Sequence, residues 1–173
     1  MRNSSNTTTT EIFGSGFVRR TMGSSNTSPL LCPSAQPELP GSVIFGVIQG
    51  TPKEPRLVQL TEPQPTTSEI LHLAAPVKPT EVFRFAAPCA EFACRHFDGN
   101  ACQLAGRIVS LIPPVEASLP PCSIRRSCRW WHQEGKAACM RCPMIVTESE
   151  TDSEAMIEVA GTGTNDRPQM SMT

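Results

Sequence analysis

The 173-residue chain has no tyrosine, and its aromatic share is only 5%. So few large rings argue against a broad hydrophobic core. A dominant charge is missing as well. With 15 basic and 16 acidic residues the formal net charge is -1, so no global field draws the chain toward nucleic acid or a membrane surface, and any electrostatic argument must be local. Long apolar runs are absent too: the longest, Val43 to Ile48 interrupted by Gly46, falls far short of the roughly 20 residues that span a bilayer. The N-terminal stretch offers neither the basic n-region nor the apolar h-region of a secretory signal in order, which sets the expectation of a reducing, cytoplasmic compartment. No phosphate-cradling glycine loop, HExxH run or cleft-forming carboxylate pair stands out, and no enzyme chemistry is legible.

What the chain does have is 17 prolines, 11 glycines and 8 cysteines. Residues 1–40 are dominated by Ser, Thr, Asn, Gly and Pro, with apolar residues too scattered for either regular period, and are expected to be a disordered tail. Cys32 lies there, far from the other cysteines, and reads as incidental. Residues 148–173 are acidic and polar and read as a second disordered tail. The domain is placed between them, at 41–147.

Within that domain three stretches have strand character: Ser42 to Ile48, Arg56 to Leu60 and Thr80 to Phe85. Between the second and third, Thr66 with Glu69 is a capping-box signature for a short helix carrying Ile70, Leu71, Leu73 and Ala74, halted by Pro76. A second helix is expected over 101–112, where Leu104, Ile108 and Leu111 or Ile112 recur at helical spacing, with Asn100 as its cap and Cys102 in its first turn. Ile145 to Thr147 reads as one more short strand. The expected fold is a small, irregular, metal-stabilised α+β domain with a few short strands and two or three short helices, because a core this poor needs a staple.

The staple is sought among the cysteines. Cys122, Cys128, Cys139 and Cys142 lie in one segment with five, ten and two residues between them, and Cys142 is followed directly by Pro143. A CxxC delivers two thiolates from one turn, and a chain reversal at Gly135 can bring the other pair to meet it. These four are the leading metal ligands. Cys89, Cys94, Cys102 and His96 form a second group that either completes the same site or makes another. Four thiolates at wide, irregular spacing suit a 4Fe-4S cluster, for which a proline directly after a ligand cysteine is a recurring feature. Trp130, Trp131, Ile124 and Ile145 are placed to shield it, and Arg125, Arg126, Arg129, Lys136 and Arg141 to balance its negative charge, with Glu134 opposing.

The functional expectation is therefore an iron-sulfur protein in electron transfer or redox sensing, with a redox or protein partner. The alternative is a structural zinc module that mediates protein or nucleic-acid interaction; the interleaved Arg125, Arg126, Arg129, Trp130, Trp131, His132 and Lys136 would be its single-strand surface, a reading disfavoured at this net charge. Two catalytic patterns are weaker. Cys94, His96 and Asp98 alternate as a nucleophile and its helpers would on a strand, and Cys139 with Cys142 form a dithiol lacking the βαβ context of a thioredoxin-like site.

Overall fold

The computed structural model describes residues 28–51, 54–145, 147 and 154–161. The expectations for residues 1–27, and for most of the 148–173 tail, lie outside the described residues. The fold is a small α+β arrangement of a four-stranded antiparallel sheet and six short helices. No helix among the described residues is long and apolar enough to cross a membrane.

Strands β1 (Leu31–Cys32), β2 (Val43–Thr51), β3 (Glu54–Pro65) and β4 (Phe83–Pro88) assemble in the order β1-β4-β2-β3. The β-branched run after Gly41 forms the central strand, pairing with β3 on one side and β4 on the other. Both pairings shift register between Ile44 and Gly46. A Cβ on Gly46 would stand 2.6 Å from Leu57 Cδ1 and 3.1 Å from Val58 O, so the bulge needs the residue without a side chain. The bulge resets the alternation of β2, so that Ile44 and Val47 share one face while Phe45 takes the other.

Strand β4 begins later than expected. Pro79 to Val82 make a helical turn, α2, because Pro79 suits a first helical position and Glu81 Oε1 accepts the Lys78 N–H at 3.1 Å. The preceding helix, α1 (Ser68–His72), is capped by Thr67 Oγ1, which accepts the Ile70 N–H at 3.4 Å. Its cap is thus one residue later than the expected Thr66.

Alternation gives the sheet two buried faces. On one, Ile44, Phe83, Phe85 and Ala87 pack with Ala35 and Ala74 beneath α1 and α2. On the other, Phe45 and Ala86 meet Ile124, with Leu31, Leu57 and Cys122 around them. Arg84, two residues before Ala86 and opposite Gly46, belongs to this second face and is 1% exposed.

A helical half covers that face, built from α3 (Gln103–Leu111), α4 (Arg129–Glu134), α5 (Lys136–Cys139) and α6 (Glu154–Ala160). Its core holds Leu104, Ala105, Ile108 and Ile112, the stripe expected on the first of these helices, with Cys102, Cys128, Trp130, Ala138, Ile145 and Val159. Asp98 rather than Asn100 organises the start of α3, accepting the N–H groups of Asn100 (2.9 Å) and Ala101 (2.8 Å). Gly135, at φ +58°, turns the chain between α4 and α5. Ile145 is buried outside any strand.

Two segments outside 41–147 take part in the fold. Strand β1 adds an edge to the sheet. Helix α6, within the stretch read as solvated tail, buries Val159 against the helical core, and Arg107 Nε donates to Val159 O at 2.8 Å. Five of the six helices have only four to seven residues, too short for apolar periodicity to reveal them.

Candidate metal centre

Cys122, Cys128, Cys139 and Cys142 line one cavity of ≈ 20 Å³ between the sheet and the helical half. Each reaches it from a different backbone direction. Cys122 follows the extended Pro120–Pro121 entry, Cys128 stands at the start of α4, Cys139 ends α5, and Cys142 opens the 3₁₀ turn Cys142–Met144 with Pro143 locked into it. The turn Ala138 to Ile145 is held by Arg141 N–H to Ala138 O (3.1 Å) and Ile145 N–H to Cys142 O (3.1 Å). Phe45 and Gln59 of the sheet and Trp130 of α4 complete the walls, with Trp130 only 1% exposed. The thiols ring the cavity; among the described residues no three His, Cys, Asp or Glu side chains stand close enough to share a single ion.

All eight cysteines are free thiols. Burial pushes the Cys128 thiol up to about 12 and Cys142 up to about 11, and raises Cys122. Neighbouring thiols add to this: Cys142 and Cys122 act on Cys128, and Cys122 and Cys139 on Cys142. Backbone N–H groups of Trp131 and Trp130 pull the other way at Cys128, as do those of Ile124 and Arg125 at Cys122. Without a metal, burial favours the protonated form of Cys122, Cys128 and Cys142.

The surroundings are rich in donors. Arg84 acts on Cys142 directly, favouring its thiolate, while burial pulls the guanidinium's own pKa down. Its Nε and Nη2 have no hydrogen-bond partner among the described residues. The same holds for Arg125 Nε and Trp130 Nε1, both from residues lining the cavity, and for one acceptor there, Gln59 Oε1. Arg125 otherwise donates to Pro120 O and lies 5.5 Å from the Trp131 ring centroid.

The second group gathers beside this one. Burial raises the Cys102 thiol, with Cys89 and Cys94 adding to the rise, and Cys32 joins them: burial pushes its thiol up to about 12, with Cys89, Cys102 and Cys94 adding to the rise. Cys32, read as incidental in the sequence, is brought here by β1. His96 turns its ring elsewhere. Its Nδ1 lies 3.1 Å from Arg107 Nη2 and its Nε2 accepts from Arg95 Nε at 3.3 Å, and burial together with these two cations holds the imidazole below its usual range. Only its backbone N–H addresses sulfur, donating to Cys94 Sγ at 3.4 Å.

The catalytic alternation dissolves in three dimensions, since Asp98 is occupied by the turn that starts α3. Part of the basic and aromatic run at 125–136 is engaged internally, while Arg126, His132 and Lys136 are exposed. Trp130 is buried, Arg129 pairs with Glu91 and stacks at 5.2 Å from the Phe97 centroid, and His132 Nε2 meets Arg126 O at 2.8 Å. Two residues with a place in the site were passed over in the sequence, Arg84 and Cys32. A charge inside the apolar run VFRFAA was the available signal for the first. For the second there was none, because a two-residue edge strand is legible only through its partner. Comparison with protein-family models, with curated proteins and with solved structures gives no match.

Proposed function

We propose that Cys122, Cys128, Cys139 and Cys142 hold a 4Fe-4S cluster and that the protein serves electron transfer or redox sensing with a redox partner protein in a reducing compartment. One observation carries the reading: four thiols, those of Cys128 and Cys139 buried and those of Cys122 and Cys142 half-buried, ring a cavity beside a fully buried arginine whose Nε and Nη2 are unanswered among the described residues. An uncompensated buried charge costs several kcal/mol, and each orphaned donor about 1–3 kcal/mol. A thiolate-held anionic cluster would offset both, with Arg84 and Arg125 as counter-charges and Trp130 Nε1–H as a donor toward sulfur.

The disposition of the sulfurs supports the same choice. A single zinc ion draws four ligands to about 2.3 Å from one point, and among the described residues no three His, Cys, Asp or Glu side chains converge on one point. A 4Fe-4S cluster supplies one-electron chemistry when bound. The chain's own residues would anchor it, keep water from it through Phe45 and Trp130, and raise its potential through Arg84 and Arg125. The competing reading is structural zinc in a module that binds a protein or nucleic acid; its nucleic-acid form has less support, with Arg129 paired to Glu91 and Trp130 buried.

Anaerobic purification or reconstitution tests the proposal. Brown protein with broad visible absorbance and equal iron and sulfide, bleached by C139S with C142S at this site, is the expected result. Colourless protein holding zinc through the same cysteines would replace it with the alternative, and metal-free protein with all four thiols open to alkylation would overturn both.

A further inference from the structure

We infer that Cys32, Cys89, Cys94 and Cys102 form a second four-thiol centre with its own 4Fe-4S cluster, so that the eight cysteines divide four and four. The inference shares its ligand class with the proposed function and shares no ligand residue with it.

Chain topology assembles the set. In the β1–β4 pairing Cys32 stands opposite Ala87, and the Cys89 N–H donates to Leu30 O at 2.7 Å, which fixes Cys89 across from the Cys32 segment. The chain then folds through the 3₁₀ turn Glu91–Ala93, closed by the Cys94 N–H to Glu91 O at 2.8 Å. A bridge between Phe97 and Cys102, with the Gln103 N–H donating to His96 O at 2.7 Å, returns Cys102 beside the segment that carries Cys94.

The electrostatics agree with this grouping. Among the largest influences on Cys32 and Cys102 are the thiols of Cys89 and Cys94, while those on Cys122, Cys128 and Cys142 come from the other set. Backbone N–H groups turn toward sulfur here too, from Ser34 at Cys32 and from Ala105 and Leu104 at Cys102. A cation is also repeated. Cys89 acts electrostatically on the Arg129 guanidinium, whose buried Nε has no partner among the described residues, as Arg84 stands beside Cys142 in the first set. The histidine that the sequence offered as fourth ligand is held by two arginines, and Cys32 takes its place.

The two sets are joined by short links. Leu31, next to Cys32, bridges to Cys128. Gln133 of α4 accepts the Cys102 N–H at 2.7 Å and donates to Cys102 O at 3.0 Å, so the helix that starts at Cys128 grips Cys102 by both backbone groups. Each thiol surrenders its proton as its Fe–S bond forms, and loading both sets makes the bound state the deprotonated one.

Iron and sulfide are counted on the anaerobically reconstituted full chain, its C32S and C142S variants, and metal-free protein. Expected are about 8 iron and 8 sulfide per chain, falling to about 4 of each in C32S, with a distinct 4-iron remainder in C142S. Because a variant can fail to fold, the unsubstituted chain is also alkylated before and after loading and mapped by mass spectrometry. Protection of Cys32, Cys89, Cys94 and Cys102 on loading is the expected result. About 4 iron, indifferent to C32S and lost in C142S, with Cys32 alkylated at the same rate loaded and metal-free, would overturn the second centre and leave the first standing. Iron lost in C32S and kept in full in C142S would overturn the proposed function and keep this one.

Discussion

A guanidinium only 1% exposed beside Cys142, with two donors unanswered among the described residues, places opposite demands on the loaded and metal-free protein. Without a counter-charge it is a cost; beside an anionic centre it is a partner. R84M should therefore raise the denaturant midpoint of the metal-free protein, by about 1–4 kcal/mol of stability, while the loaded protein loses that gain and its reduction potential falls. A midpoint that moves the same way in both states would refute the pairing. The thiols set a second test. Their folded pKa values, up to about 12 for Cys32 and Cys128 and up to about 11 for Cys142, lie above the unfolded value of 9.0. Between those limits the unfolded chain gives up protons that the folded chain retains, so folding loses stability as pH rises. The reduced metal-free protein should keep a constant urea midpoint below about pH 8 and lose stability steadily above pH 9, whereas the loaded protein, already deprotonated, should not follow that slope. At this scale the sequence was half legible. The four downstream cysteines could be singled out because a CxxC with close partners is a strong local pattern, but Arg84 could not, since alternation says which face a residue takes and not whether that face is covered.

Among the elements, α4 carries most of the arrangement in six residues: Cys128 at its start, Trp130 in the cavity wall and Gln133 on the backbone of Cys102. Q133A would leave the buried N–H of Cys102 unmatched and its C=O with only the longer bond from the Gly106 N–H, at 3.4 Å, and should cost about 1–3 kcal/mol, measured by urea unfolding. Q133E keeps the acceptor and loses the donor, and should fall between the two; equal stability of all three proteins would remove Gln133 as a link. Strand β2 gives a comparable test. G46A forces a methyl onto Leu57 and toward the Val58 carbonyl at the bulge, for an expected loss of about 1–3 kcal/mol. Long elements were legible and short ones were not. The stripe Leu104, Ile108 and Ile112 announced α3, and the β-branched run announced β2, because each spans enough residues to show its period. Helices α2 and α5, of four residues each, are set by Pro79 with Glu81 and by Gly135, signals that mark a turn without saying that it is helical.

As a whole molecule the chain has unequal halves. The face of the sheet beneath α1 and α2 is closed by Ile44, Phe83, Phe85 and Ala74 and borrows no cysteine. The helical core includes Cys102 and Cys128, and its Trp130 and Ala138 also border the cavity. The α+β class was readable from composition and punctuation, but the reach of the fold was not. Cys32 and Val159 lie in stretches whose own composition is that of tails, and only contacts distant in sequence, with Ala87 in one case and α3 in the other, give them a place. If the proposed cluster is bound, that asymmetry predicts how the protein comes apart on its removal. With Cys128 and Cys142 protonated and Arg84 without a counter-charge, α3, α4 and α5 would lose the staple proposed for their small core, while β2, β3 and β4 keep their ladder and their own apolar face. Hydrogen exchange followed by mass spectrometry should show amide protection falling by at least about tenfold over 103–111 and 129–139 after anaerobic chelation, with little change over 43–48 and 83–87. If protection instead falls equally in both halves, the sheet depends on the centre as much as the helices do. If it falls in neither, the cysteines do not staple this fold.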